Sequence, residues 1–234
     1  MPENQLIVEF LLQETLQTKK VSIVLHPEMK TEAEDRIIES ATELFYRFGI
    51  KSITMDDVAK HLAMSKKTLY QHFRDKNEMV RKCCEHDILN RTCMFKEIAS
   101  LAVDPINEMM NLMKHMESMF SGINPNLFYD MQKYYPEVWK LYREFKEKSM
   151  MQMIEENFKK GIDAGLYRRD ISISILARLR MEEVEMGFNH EFFPHDKFSV
   201  AKVQVALFDH FMHGITTIKG HKLINKYKQI IEED

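Results

Sequence analysis

The chain has 234 residues, 44% of them hydrophobic and 29% charged, with a formal net charge of −3, the balance of an ordinary soluble globular protein. Only 7 Gly and 6 Pro occur, which favours helices over turn-rich β architecture and speaks against glycine-rich phosphate loops. The apolar runs are too short to span a bilayer, Glu3 and Glu9 stand where a signal peptide is basic, and Cys83, Cys84 and Cys93 do not form a secreted disulfide framework, so a cytoplasmic location is expected.

Residues 1–28 contain the strand-like VSIVLHPEM and the amphipathic QLIVEFLLQETL without an evident partner for either. They are expected to be an extension outside the fold, with Met29 a second possible start. From Thr31 the helix signals come in series. Thr31 and Glu34 form a capping box ahead of Ile37, Ala41, Leu44, Phe45 and Phe48, and Gly49 ends that run. Thr54 and Asp57 repeat the box before Val58, Ala59 and Leu62. The turn Ala63–Ser65 follows, with Ser65 capping a helix whose inner face is Leu69 and Phe73. Asp75 and Glu78 open a long helix to about Ala99. Asp104-Pro105 starts the next, to about Ser121. A long helix after Tyr135-Pro136 carries Val138, Tyr142, Phe145 and Ile154 and ends near Gly161 and Gly165. Asp170 opens another, with Ile173, Ala177, Val184 and Phe188 on one face. Ser199 opens the last, with Val203, Leu207, Phe211 and Ile218. Residues 29–234 show no convincing alternating strand and no repeat. The expected fold is all-α: a three-helix helix-turn-helix head over 29–80, then a larger helical body over 81–234.

The second short helix of the head has the inventory that DNA requires. Its outer face carries Lys66, Lys67, Thr68 and Tyr70, with Gln71 and His72 near its end. Lysines offer charge to phosphates and donors to guanine edges; Thr and Tyr offer hydroxyls to phosphate and carbon to the thymine methyl. Between Arg47 and Lys82, nine bases face four acids, a local +5 in a chain of −3. Such asymmetry suits one surface that meets a polyanion.

The stretch ITMDDVAKHLAMSKKTLYQHFRDKNEMV resembles the DNA-binding head of the TetR family of transcriptional regulators. The resemblance runs from about Arg36 to Val80. It takes in Ala41–Phe45, the Phe48-Gly49 turn, Thr54, Ala59, Ser65, Thr68, Leu69, Tyr70, the His72-Phe73 pair and Lys76. One departure is Ala63, where the family often has glycine; a left-handed backbone there costs alanine roughly 1 kcal/mol. The resemblance implies that Lys66, Lys67 and Thr68 contact bases, and that Thr54, Tyr70, His72 and Lys76 hold phosphates around the Ser65 cap. It implies a homodimer on a partly palindromic operator, repression by default, and release by a small molecule in the body. The dimer seam would be about 170–190 and 199–219, with Gly214 allowing close helix approach.

Methionine is abundant, 18 in all, with ten between Met94 and Met153. Flexible, polarisable side chains suit an adaptable apolar cavity. Met113, Met116, Phe120, Phe128, Trp139 and Phe145 are therefore the candidate effector-binding residues, and the effector is expected to be mainly hydrophobic. No HExxH, GxSxG, P-loop or GxGxxG occurs, so no enzyme is expected. His210 and His213, three apart on one helix face, allow zinc in principle alongside His190 and His195; bundle surface is the plainer reading, and neither metal nor cofactor is expected. Cys83-Cys84 raises a thiol sensor, with a buried small residue as the plainer reading. A regulator answering to thiol oxidation or metal, and a helical module without DNA affinity, are the alternatives.

Overall fold

Side-chain caps at Thr54, Ser65, Asp75 and Asp104 open helices where the spacing predicts them. The computed structural model describes residues 32–229; the extension 1–28 and the Thr31 cap lie outside the described residues. The head comprises α1 (Glu32–Phe48), α2 (Met55–His61) and α3 (Lys66–His72), followed by the long α4 (Lys76–Leu101). At Thr54 the capping box is complete: Asp57 N–H donates to Thr54 Oγ1 at 3.2 Å, and Thr54 N–H donates to Asp57 Oδ2 at 2.9 Å. Ser65 Oγ accepts the Thr68 N–H at 3.0 Å, and Asp75 accepts the Glu78 N–H at 2.9 Å. Each cap satisfies an amide that the first helical turn leaves without a partner. Leu69 and Phe73 are fully buried, as the pattern predicts.

The body follows as α5 (Pro105–Phe120), α6 (Leu127–Tyr134), α7 (Pro136–Phe145), α8 (Met151–Asp163), α9 (Ile173–Met186), α10 (Val200–Ile215) and α11 (Ile218–Lys228). Asp104 caps α5 through the N–H groups of Ile106 and Asn107, both at 2.9 Å, with Pro105 in the first turn. Helices α7 and α8 run on as one rod, widened between them by a π-helical turn, Lys146–Met150. Among the described residues the only β feature is the isolated antiparallel pair Tyr167–Thr216.

Three boundaries differ from the sequence reading. Helix α6 is not foreseen: Asn126 makes no side-chain cap bond to announce it, and tertiary packing stabilises it instead. Asp170 does not open α9, which begins at Ile173; its carboxylate is held by Arg168 at 2.8 Å. The last predicted helix is in fact two. It ends at Ile215 because Thr216 pairs with Tyr167, and Thr217 N–H donates to Leu166 O at 2.9 Å. The Thr217 hydroxyl then caps α11 through the Gly220 N–H at 3.2 Å. Ile218, expected in the core, is 79% exposed.

Tyr167 lies at the centre of this junction. It is fully buried, and its hydroxyl donates to Asn157 Oδ1 at 2.9 Å. Its ring lies flat against Gly161, where a Cβ would fall 2.1 Å from the ring, so only glycine fits.

Four described residues follow helical segments in the left-handed region: Gly49 with φ 84°, Ala63 with φ 51°, Gly165 with φ 68° and Gln229 with φ 55°. Glycine bears that conformation without the Cβ clash that alanine suffers. Ala63→Gly is therefore expected to stabilise the protein by about 1 kcal/mol, read as a rise in denaturation midpoint. A fall in midpoint would show that the turn carries no strain.

The cap carboxylates also shape the acid response. Hydrogen bonds from Thr54 hold Asp57 below its ordinary 3.8, and the Glu78 N–H does the same for Asp75. Both folded-state pKa values are depressed, so their contribution is present above the unfolded pKa and is lost as pH falls through the folded values. Asp57→Asn and Asp75→Asn should flatten the loss of stability below pH 3.8, as followed by circular dichroism. An unchanged acid limb would refute this.

Candidate nucleic-acid interface and internal cavity

Capping by Ser65 sets the rotation of α3, and so its outward face. Lys66, Lys67, Tyr70 and Gln71 are exposed there, with Tyr70 half accessible. Thr68 and His72 are half-buried at the edges of this face, and the Thr68 and Ser65 hydroxyls lie 2.8 Å apart. The Lys66 ammonium pairs with Asp56 of α2, whereas Lys67 makes no ion pair among the described residues. Thr54 and Lys76 stand at the starts of the flanking helices. Thr54 donates its hydroxyl to Asp57 at 2.6 Å. Lys76 donates to Lys51 O at 3.3 Å and sits 5.9 Å above the Tyr135 ring; burial lowers its pKa. The eight residues thus come from one short helix and the two helix starts beside it.

Sequence reasoning missed a basic and aromatic rim supplied by α6. Lys51 Nζ donates to the Tyr134 hydroxyl at 3.0 Å, and Lys133 Nζ to the Tyr129 hydroxyl at 2.5 Å. The bond from Lys51 lowers the Tyr134 pKa. Asp130, on the same helix, is buried and accepts the Lys51 N–H at 2.8 Å. The signal was hidden because α6 itself was not foreseen.

Behind this rim lies a mainly apolar cavity of about 90 Å³. Met116, Phe120, Phe128 and Phe145 line it, as four of the six candidate effector residues. Met113 instead borders a neighbouring cavity of about 50 Å³. Trp139 lines neither; it stacks on Tyr142 at 5.2 Å. The larger cavity is not confined to the body: Thr42, Phe45 and Tyr46 of α1 and Cys84, Asp87 and Arg91 of α4 complete it.

Asp87 and Arg91 are the charged groups of that wall. At i,i+4 on a long helix they read from sequence as a surface pair. Here they turn inward, with Arg91 Nε donating to Asp87 at 2.5 Å and Nη2 to the Tyr46 hydroxyl at 3.1 Å. Burial works against the Arg91 charge, and Tyr46 and Asp87 more than offset it, so its pKa is raised. Burial likewise raises the pKa of Tyr46.

The cysteines fall in unlike settings. Cys83 is buried, its thiol 3.6 Å from Ile38 O. Cys84 faces the cavity, where burial and then Asp87 push its pKa up to about 12. Cys93 is exposed. Among the described residues no cluster of three or more His, Cys, Asp or Glu is arranged to hold a metal, and no helix is long and apolar enough to cross a membrane.

Residues 37–83 match the family model for bacterial regulatory proteins of the tetR family. An HTH-type transcriptional regulator of Staphylococcus aureus strain bovine RF122 / ET3-1 is 36% identical over 67 residues, 29% of this chain and 36% of the relative. The biofilm operon icaADBC HTH-type negative transcriptional regulator IcaR of S. aureus strain Newman is 37% identical over 67 residues, 27% of this chain and 36% of that protein. The chain thus matches little more than a third of the length of these relatives. The likeness of fold extends further. A transcriptional regulator from Saccharomonospora viridis, solved in complex with choline, superposes with a TM-score of 0.64 at 18% identity, over 80% of this chain and 100% of the other.

The thiol settings predict selective labelling. The thiolate is the reactive form, so a rise from 9.0 to about 12 should slow Cys84 roughly 1,000-fold at neutral pH. Mass spectrometry after brief alkylation should find Cys93 modified first, with Cys83 and Cys84 following only on unfolding. Early modification of Cys84 would overturn this picture.

Proposed function

We propose that this chain, which belongs to the TetR family of transcriptional regulators, is a ligand-responsive repressor that binds a partly palindromic operator as a homodimer in the cytoplasm. The observation that carries the reading is α3, capped by Ser65, presenting Lys66, Lys67, Thr68 and Tyr70 away from a core that Leu69 and Phe73 anchor. Lys66, Lys67 and Thr68 read base edges; Thr54, Tyr70, His72 and Lys76 hold phosphates. Lys66 exchanges Asp56 for DNA on binding. No catalytic role is proposed.

Dimerisation through α9 and α10 fits the exposure of Ile175 and Leu179 on α9, 66% and 46%, and the open Gly214 on α10. Apolar side chains so placed gain by burial against a second copy.

The effector occupies the cavity between α1 and α4 on one side and α5 to α7 on the other. At about 90 Å³ it is far below the roughly 300–1,000 Å³ of an occupied small-molecule site. A ligand therefore widens it, and the walls that move include helices of the head. A ligand that favours the widened state releases DNA in so far as widening changes the head spacing that DNA requires.

Gel-shift with genomic fragments tests DNA binding directly. Affinity should fall by orders of magnitude over a few-fold rise in salt, because several phosphate contacts release counterions. Tyr70→Phe should weaken all sequences alike, while Lys66→Ala or Lys67→Ala should cost roughly 1–3 kcal/mol at particular base pairs. A flat salt response, or unchanged sequence preference in both lysine variants, would refute the assignment of α3.

A further inference from the structure

We infer that the cavity is built for an elongated apolar molecule with an uncharged carbonyl oxygen at one end, received by Arg91. The inference rests on the effector reading above and names the chemistry of its ligand. Of the guanidinium N–H groups, two meet oxygen, on Asp87 and Tyr46. Two others meet only thioether sulfur, Met119 Sδ at 2.9 Å and Met116 Sδ at 3.8 Å. Sulfur is a weak acceptor, so an arriving oxygen gains a charge-assisted hydrogen bond while displacing little. The methionine side chains that now cover the guanidinium have the freedom to withdraw.

The charge balance selects the type of acceptor. Arg91 and Asp87 already neutralise each other across 2.5 Å. A carboxylate would bring a second negative charge into an apolar wall with no second cation to match it, at a heavy desolvation cost. A quaternary ammonium would find aromatic rings but would lie against the guanidinium. A hydrocarbon would leave the sulfur-facing N–H groups as they are. A ketone, ester, lactone or amide satisfies them without adding charge.

The two cavities set the shape. Met116, Phe120, Met150 and Val184 line both, so rotation of Met116 or Phe120 joins them. The carbonyl then sits at Arg91, and the tail passes into the second cavity against Met113. Arg180, which also borders the second cavity, is held by Glu183 at 3.3 Å and over the Phe208 ring.

The test uses the purified full chain and ligands of one chain length: octane, methyl hexyl ketone, octanoate and octyltrimethylammonium. Binding is read by thermal shift and by fluorescence of Trp139, the single tryptophan, and DNA release is read separately. The ketone is expected to bind about tenfold more tightly than each of the others, as one hydrogen bond to a charged group provides. Asp87→Leu with Arg91→Met removes both charges together, so that neither is left buried alone, and should abolish the advantage of the ketone over octane. Arg91→Lys, which keeps the ion pair but loses the planar donor array, should diminish that advantage. If the variants do not fold, the ligand series on the unaltered chain decides the matter. Tightest binding by octanoate or the ammonium, parity of octane with the ketone, retention of the preference in the double variant, or no binding by any member would each overturn the inference. Arg91-dependent ketone binding that leaves DNA affinity unchanged would support this site and sink the regulatory reading instead.

Discussion

The head of this protein does not close its own core. Leu127 and Met131 of α6 and Val138 of α7 lie in the same apolar cluster as Ile37, Phe45, Val58, Leu69 and Phe73. Each such side chain contributes roughly 1.5–3 kcal/mol when fully withdrawn from water. The head helices are short, with seven residues each in α2 and α3, and such helices owe their stability to packing rather than propensity. Polar bonds fix the register of this seam: Asp130 receives the Lys51 N–H, and the Asn124 N–H donates to Tyr46 O at 2.5 Å. Whatever displaces α6 therefore acts on the platform beneath α3.

The cavity lies against that same seam, and its other walls reach toward α9. Lys146, buried in the π-helical turn, bonds Glu182 at 2.9 Å and Glu185 at 2.6 Å on α9. Met150 closes the turn and faces both cavities. An ammonium so buried needs its carboxylate partners, so withdrawing α9 from the α7–α8 rod would leave that charge uncompensated. Lys146 and Met150, one turn apart on the rod, thus bring the ion pairs with α9 and the cavity wall close together. Head, cavity and α9 are thus linked through side chains in direct contact, a route along which a packing change at one can reach the others.

Local chemistry explains which parts of this arrangement could be read in advance. The box at Thr54–Asp57, the Ser65 and Asp75 caps and the Asp104-Pro105 start depend on residues within four positions of one another, and each stands where the spacing predicts. The left-handed Ala63 turn is suggested only by the family resemblance, as a departure from its glycine. Helix α6 escaped because it lacks a cap and is held by residues far away in sequence. The break at Thr216 escaped because its cause, pairing with Tyr167, joins residues separated in sequence by two whole helices. The methionine-rich composition pointed toward the cavity and named four residues of its wall. It did not reveal Asp87 and Arg91, because an i,i+4 ion pair looks the same in sequence whether it faces solvent or an interior.

The two small cavities have a mechanical consequence as well. Imperfect packing between elements is volume that unfolding eliminates. Voids of about 90 and 50 Å³ correspond to volume changes on the order of tens of millilitres per mole. Hydrostatic pressure therefore bears most directly on the space between head and body, the same space that a ligand would enlarge.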